Sequence, residues 1–301
     1  MDIALMVEGQ RGLTWDRWKR IARTVEDCGF DGLFRSDHFT KPEGDYEDSL
    51  ELWTSLTWLA DNTEDIDFGP LVTPVSFRDP VFTARMGKDV DNLADGRLVL
   101  GVGAGWQERE HETFGYDLLD LPDRLDRFEE GVDVIANLLR SDDPVSYDGD
   151  YFELEDALLL PRPERKGGTR LLVGGNGPNR TLPLAAERAD EWNSVMLQPE
   201  EIRELNDRLD GLLEERGRDP ADVTRSTMTR VVYGRDEAEV ERVLGEEDRE
   251  ALREQGAIVG TGADVREHLD ALADAGVDRV MLQWLELDDI ERLEALADDV
   301  L

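Results

Sequence analysis

The chain has 301 residues, of which 34 are Lys or Arg and 71 are Asp or Glu, giving a formal net charge of −37; a field of that sign repels phosphate backbones and argues against a nucleic-acid partner. With 40% hydrophobic residues and seven tryptophans the chain holds enough apolar surface for a sizeable core, which excludes a disordered protein. No apolar run approaches membrane-spanning length, Ile3–Val7 lacks the basic flank of a signal peptide, and Cys28 stands alone, so a cytoplasmic, disulfide-free protein without membrane contact is expected.

Short runs rich in Val, Ile and Leu alternate with longer amphipathic segments, as βα units do around a parallel sheet. In chain order the strands are expected at Ile3–Val7, Gly32–Ser36, Asp67–Thr73, Leu98–Gly103, Arg170–Gly174, Trp192–Met196, Thr227–Tyr233 and Arg279–Gln283. Helices are expected between them at Trp15–Cys28, Leu50–Asn62, Pro80–Leu93, Leu125–Arg140, Pro178–Ala189, Pro199–Arg216 and Ala263–Ala275. Eight alternations fit an α/β fold of the (β/α)8 TIM-barrel type better than an open Rossmann sheet. Without a low-complexity linker, residues 1–301 read as a single barrel domain. Two stretches exceed what one βα unit needs. Residues near 144–166 read as a hairpin turning on Asp148-Gly149, and residues near 234–256 as a charged helical insertion. Both are expected over the C-terminal mouth.

Lysine occurs only at Lys19, Lys41, Lys88 and Lys166, and the acidic residues are spread along every expected helix. That distribution is solubility chemistry for a halophilic cytoplasm, where salt screens self-repulsion. Any anionic ligand then needs a local set of donors.

Four stretches carry chemistry. FRSDHF, residues 34–39, places Asp37 and His38 where a strand hands over to a loop, and an imidazole there is a usable acid or base near neutral pH. In FGPLVTPVSFRDP, residues 68–80, Gly69 and Pro70 interrupt a β-rich run, so a bulge or distorted peptide is expected. LGVGAGW, residues 100–106, lacks the full dinucleotide fingerprint. Two readings stay open for Gly103 and Ala104: close approach of a planar ligand to the backbone, or tight packing of strand on helix. LLVGGNGPNR, residues 171–180, ends a strand in glycines before a proline suited to a first helical turn. Free N–H groups there, with Arg180 beside them, read as a phosphate nest.

Together with GFDGLFRSDHF, LADGRLVLGVGAGWQEREHETFG and the closing VGTGADVREHLDALADAGVDRVMLQ, these pieces resemble the bacterial-luciferase-like monooxygenase superfamily, most of all its deazaflavin (coenzyme F420)-dependent branch. The resemblance implies a (β/α)8 barrel with a flavin or deazaflavin at its C-terminal mouth. It implies a bulge containing a non-prolyl cis peptide behind the ring, matched here by Gly69, Pro70, Leu71 and Val72. Asp37 matches a cofactor contact, His38 a proton-transfer residue and Thr73 a ring-side contact. Gly174, Gly175, Asn176, Gly177 and Asn179 match the phosphate loop, while Arg180 is added on charge alone.

The expected function is hydride transfer between coenzyme F420 and a small organic substrate. The alternatives are a two-component monooxygenase using reduced FMN and oxygen, and a non-catalytic flavin-binding protein. Expected partners are the small-molecule substrate, a second copy of the chain as a homodimer, and a separate flavin or F420 reductase. Sugar-phosphate dehydrogenases of the superfamily carry Glu after the strand-four glycine pair where this chain has Trp106, which argues against that substrate and leaves Glu108 as a substitute carboxylate. His111 and His268 read as solvated helix residues, and Trp106, Phe114, Tyr116 and Trp284 as aromatic candidates for the substrate pocket.

Overall fold

The computed structural model describes residues 1–301. In chain order its elements are β1 Asp2–Val7, α1 Trp15–Cys28, β2 Gly32–Arg35, α2 Leu52–Asn62, β3 Asp67–Pro70, β4 Thr73–Pro74, α3 Pro80–Leu93, β5 Val99–Gly103, α4 Glu108–Phe114, α5 Leu121–Arg140, β6 Val145–Asp148, β7 Glu153–Ala157 and β8 Arg170–Gly174. There follow α6 Thr181–Arg188, β9 Glu191–Val195, α7 Pro199–Glu215, β10 Thr224–Tyr233, α8 Glu237–Leu244, α9 Arg249–Glu254, β11 Ile258–Gly260, α10 Gly262–Asp274, β12 Arg279–Trp284 and α11 Ile290–Val300.

The main sheet runs β3-β2-β1-β12-β10-β9-β8-β5-β4 with every pairing parallel. Its two ends, β3 and β4, are consecutive pieces of one interrupted strand, and a bridge from Phe68 to Leu98 joins that strand to its far neighbour. The eight strand positions expected from sequence therefore close into a barrel. Alternation along β1 shows how the layers form: Ile3, Leu5 and Val7 pack outward against the helices, whereas Ala4 and Met6 point into the barrel with Phe34, Leu71, Val99, Leu172 and Met281. The helices start where the sequence supplies an acceptor for free N–H groups. Thr14 caps α1, Asp79 caps α3 with Pro80 in its first turn, and Asp120 caps α5.

The insertions sit differently from expectation. Residues 144–166 do form the hairpin β6–β7, with Gly149 N–H donating to Phe152 O at 3.0 Å. Glu130 of α5 then accepts from the N–H groups of Asp150, Tyr151 and Phe152, which ties the turn to the outside of the barrel. Residues 234–256 form α8 and α9 as expected, but they lead into β11, a strand the sequence reading missed, which pairs with the end of β10. Three apolar residues between glycines are too short a run to announce a strand. Neither insertion lines the mouth cavity described below.

Candidate active site

A cavity of about 510 Å³ opens at the C-terminal ends of the barrel strands. Its apolar wall includes Met6, Leu71, Val72, Phe128, Val195 and Met228, and its titratable groups are Glu8, His38 and Glu110; no Lys or Arg lines it. Strand ends from around the whole barrel meet here, which is why parallel barrels gather function at this face.

His38 is held by a residue far away in sequence. Its Nδ1 lies 2.8 Å from Oε1 of Glu110, and the other oxygen of Glu110 accepts from Phe39 N–H at 3.0 Å. Glu110 projects from α4 and is 1% exposed. Because Glu110 occupies Nδ1, Nε2 is the ring nitrogen left to meet a ligand, and the ring edge stands against Trp106 with centroids 5.6 Å apart. Burial disfavours the imidazolium. The hydrogen bond that His38 Nδ1–H donates to Glu110 and the charges of Glu110, Glu8 and Asp37 outweigh it, so the group titrates above its ordinary 6.5.

Asp37, expected at the cofactor, is turned the other way. Arg78 grips both its oxygens, Nε to Oδ2 at 2.9 Å and Nη2 to Oδ1 at 2.8 Å, and Thr73 donates to Oδ2 at 2.7 Å. Arg78 also reaches Glu51 at 2.9 Å. Asp37 and Thr73 thus satisfy each other and lie off the cavity wall, joining β2 to the turn after β4. The sequence reading noticed both residues but not Arg78, the cation that decides their role.

The bulge between β3 and β4 carries a non-prolyl cis peptide at Leu71–Val72, at the position the resemblance implied. Gly69 lets β3 lie directly on β5: a Cβ there would collide with the Val99 carbonyl, and one at Gly101 would collide with the Pro70 carbonyl. Val72 then inserts between the strand-end glycines. A Cβ at Gly103 would overlap Val72 Cγ2, and one at Gly174 would lie 2.9 Å from Val72 Cγ1. Neither earlier reading of the strand-four glycines is complete, because the first thing they accommodate is this bulge. Leu71, Val72, Gly103, Ala104, Gly174 and Gly175 do line the cavity, whereas Gly69 and Pro70 lie behind it.

At the opposite wall, the backbone N–H groups of Asn176, Gly177, Asn179, Arg180 and Thr181 have no acceptor in the protein. They follow Gly175, whose φ of +133° is open only to glycine without strain. α6 begins at Thr181 rather than Pro178, and Thr181 lines the cavity with Gly174 and Gly175. Asn176 points away from it and bridges the N–H and C=O of Val195. The Asn179 side chain accepts from Arg208, and Gly177 packs on Thr181. Arg180 departs from expectation: its guanidinium is bound by Glu129 at 2.5 Å and Asp126 at 2.6 Å, so it offers no free positive charge. The nest is made of backbone alone.

Other assignments change as well. Glu108 is exposed, and the carboxylate of that helix that reaches His38 is Glu110. His111 is 1% exposed, with Nδ1 on Gln107 O and Nε2 on Ser76 Oγ at 2.7 Å each, and so belongs to the core rather than to solvent. His268 is half-buried, and burial followed by the charge of Arg253 pushes its pKa below 6.5. Trp284 is fully buried with Nε1 on Glu286 O. Phe114 and Tyr116 pack with Phe39 and Phe77 outside the cavity, so of the four expected aromatic residues Trp106 alone lines it. Sequence reasoning missed Glu8, Gln10, Gln283 and Asn193. Glu8 and Gln10 follow the end of β1 and Gln283 lies one residue before the end of β12, a position that was the one available signal, whereas Asn193 lies in the middle of β9 and gave none.

A family model described as luciferase-like monooxygenase matches residues 3–253. An F420-dependent glucose-6-phosphate dehydrogenase of Microbacterium testaceum is 31% identical over 214 residues, 69% of this chain and 62% of that protein. A 4-hydroxyprotoasukamycin monooxygenase of Streptomyces nodosus subsp. asukaensis is 33% identical over 186 residues, 62% of this chain and 47% of that protein. The chain thus matches less than two thirds of the length of these relatives. Among solved structures, an F420-dependent secondary alcohol dehydrogenase in complex with an F420-acetone adduct superposes with a TM-score of 0.84 at 20% identity, covering 100% of this chain and 99% of that one. That likeness concerns the fold.

Proposed function

Because the chain belongs to the luciferase-like monooxygenase family, we propose that it is an oxidoreductase that seats coenzyme F420 in the mouth cavity and exchanges a hydride with a small organic substrate, His38 handling the accompanying proton. The observation that carries this reading is one cavity with the His38–Glu110 pair on one wall and five unpartnered backbone N–H groups beyond the other.

The residues present fit such a cofactor. The free N–H groups before α6 suit a phosphate where no Lys or Arg is available. The apolar side chains of Leu71, Val72, Val195 and Met228 suit the faces of a fused ring. Asn193, 1% exposed, leaves Oδ1 without a donor, and its orientation is fixed because Ser226 Oγ donates to Trp192 O and therefore accepts from Asn193 Nδ2. An acceptor at that place suits a ring N–H.

When bound, the deazaflavin supplies the carbon that takes or gives the hydride. The chain supplies position and a proton. Glu110 fixes the His38 tautomer and raises the proton affinity of the ring, so Nε2 is the atom that takes up or gives the proton exchanged with the cavity. Trp106 stands against the imidazole edge and shields it from one side. Asp37, Thr73 and Arg78 hold the strand end from which His38 projects.

Reduced FMN with oxygen is the second reading, supported by the monooxygenase relative and by a nest that suits any phosphate monoester or diester; it calls for a separate reductase to deliver the reduced flavin. Anaerobic fluorescence titration with F420 and with FMN tests the choice. Tighter binding of F420 and substrate reduction without oxygen are expected. Preference for FMN with oxygen-dependent turnover replaces the first reading by the second, and binding of either cofactor without turnover on any substrate leaves a flavin-binding protein.

A further inference from the structure

The titratable groups lining the cavity are two carboxylates, Glu8 and Glu110, and one imidazole, His38. Glu8, just beyond β1, is half-buried, and its two oxygens accept from neutral amides only: Gln283 Nε2 on Oε1 and Gln10 Nε2 on Oε2, each at 2.6 Å. Gln10 is itself fixed, its Oε1 accepting from Ser36 Oγ at 2.7 Å while Ser36 Oγ accepts from Gly9 N–H at 3.0 Å. The Glu8 carboxylate is therefore immobile, retains lone pairs beyond the two in use, and has no Lys or Arg partner on the cavity wall. Glu110, the other carboxylate present, is already committed to His38 and Phe39.

A carboxylate of the cavity wall that feels the His38 imidazole and the buried Arg35 through space, with no cation in salt-bridge contact, favours a ligand that brings one to it. A ligand carboxylate or phosphate beside Glu8 meets charge repulsion at close range. The backbone nest lies across the cavity, before α6, and is the place for a cofactor phosphate rather than for the substrate.

We propose that this site takes a substrate carrying a positively charged nitrogen, an amine or iminium compound docked on Glu8, and turns away anionic substrates of the same shape. The proposal rests on the mouth cavity being the substrate site, as in the function proposed above. It departs from the sugar phosphate named for one relative, since no cation on this wall could hold a phosphorylated substrate.

The test uses three shape-matched probes, benzylamine, benzyl alcohol and benzoate, with binding to the full-length protein measured by calorimetry and saturation-transfer NMR at constant salt, both without cofactor and with F420 or FMN. Benzylamine is expected to bind about tenfold or more tightly than benzoate, with the alcohol between them. Glu8→Gln should collapse that ratio to within about threefold, whereas Glu8→Asp keeps its sign. Equal binding of benzoate and benzylamine, or a preference that survives Glu8→Gln, overturns the proposal. The cofactor titration is a separate readout: if neither F420 nor FMN binds, the functional reading fails while the charge ranking of the probes still decides this inference.

Discussion

The Nδ1 of His38 lies 2.8 Å from a carboxylate oxygen of Glu110, 72 positions further along the chain, and Glu110 is almost wholly enclosed. This pair sets the protonation of the one histidine that lines the cavity.

His38 should titrate above 6.5, and Glu110→Gln should lower its midpoint, because the largest interaction favouring the imidazolium is lost while burial still opposes it. The sign for stability follows from the raised value. The contribution of the pair is whole below the unfolded pKa near 6.5 and fades as pH rises through the folded one. With three histidines in the chain, ring-proton NMR against a His38→Asn reference resolves the titration; an unmoved midpoint in Glu110→Gln removes Glu110 from the account.

If His38 is the proton-handling group, His38→Ala should reduce turnover by about 10²-fold while leaving cofactor affinity nearly unchanged. Steady-state kinetics on any accepted substrate, paired with fluorescence titration, checks this. Wild-type turnover between pH 6 and 8 would make His38 a structural residue.

Asp37→Asn should destabilise the fold by about 3 kcal/mol, the lower end for losing one partner of a buried ion pair, because Glu51 still holds Arg78. Urea melts measure it. Unchanged stability together with lost cofactor affinity would return Asp37 to the role of a cofactor contact.

Gly103→Ala should cost about 1–3 kcal/mol through overlap with Val72, and less in a Val72→Ala background. A double-mutant cycle with no coupling between the two positions would show that the glycine serves something other than the bulge. Arg180→Ala, by contrast, should change cofactor affinity less than about fivefold, since it breaks surface ion pairs with Asp126 and Glu129; a larger loss would place the guanidinium on the phosphate.

Melting temperature should rise between dilute buffer and molar KCl. At a charge of −37 self-repulsion is long-ranged in dilute buffer, and the Debye length falls from roughly 10 Å at 0.1 M salt to about 3 Å at 1 M. A flat profile of melting temperature against salt would mean that the acidic surface is neutral to stability.

The barrel was legible in the sequence because its signals are local. Each strand is a short β-branched run bounded by glycine or a turn, and each long helix repeats its apolar face about every 3.6 residues. The position of His38 at a strand end was legible for the same reason, and so was the interruption at Gly69-Pro70. β11 was not, because Ile258–Gly260 is too short to carry a period.

Hydrogen-bond partners were another matter, since periodicity reports which way a residue faces and not what it meets. Asp37 looked available until closure of the barrel brought Arg78 to it, Arg180 looked free until α5 supplied Asp126 and Glu129, and His111 looked solvated until Ser76 and Gln107 enclosed it. Glu8 meets Gln283 from 275 residues away, because the first and last strands of the barrel are neighbours. The sequence by itself determined the order of the eight barrel strands, the acidic surface and the strand end that carries His38. Tertiary structure decided which charges are already neutralised and which still face the cavity, because that depends on the contacts made when parallel strands distant in sequence are drawn side by side.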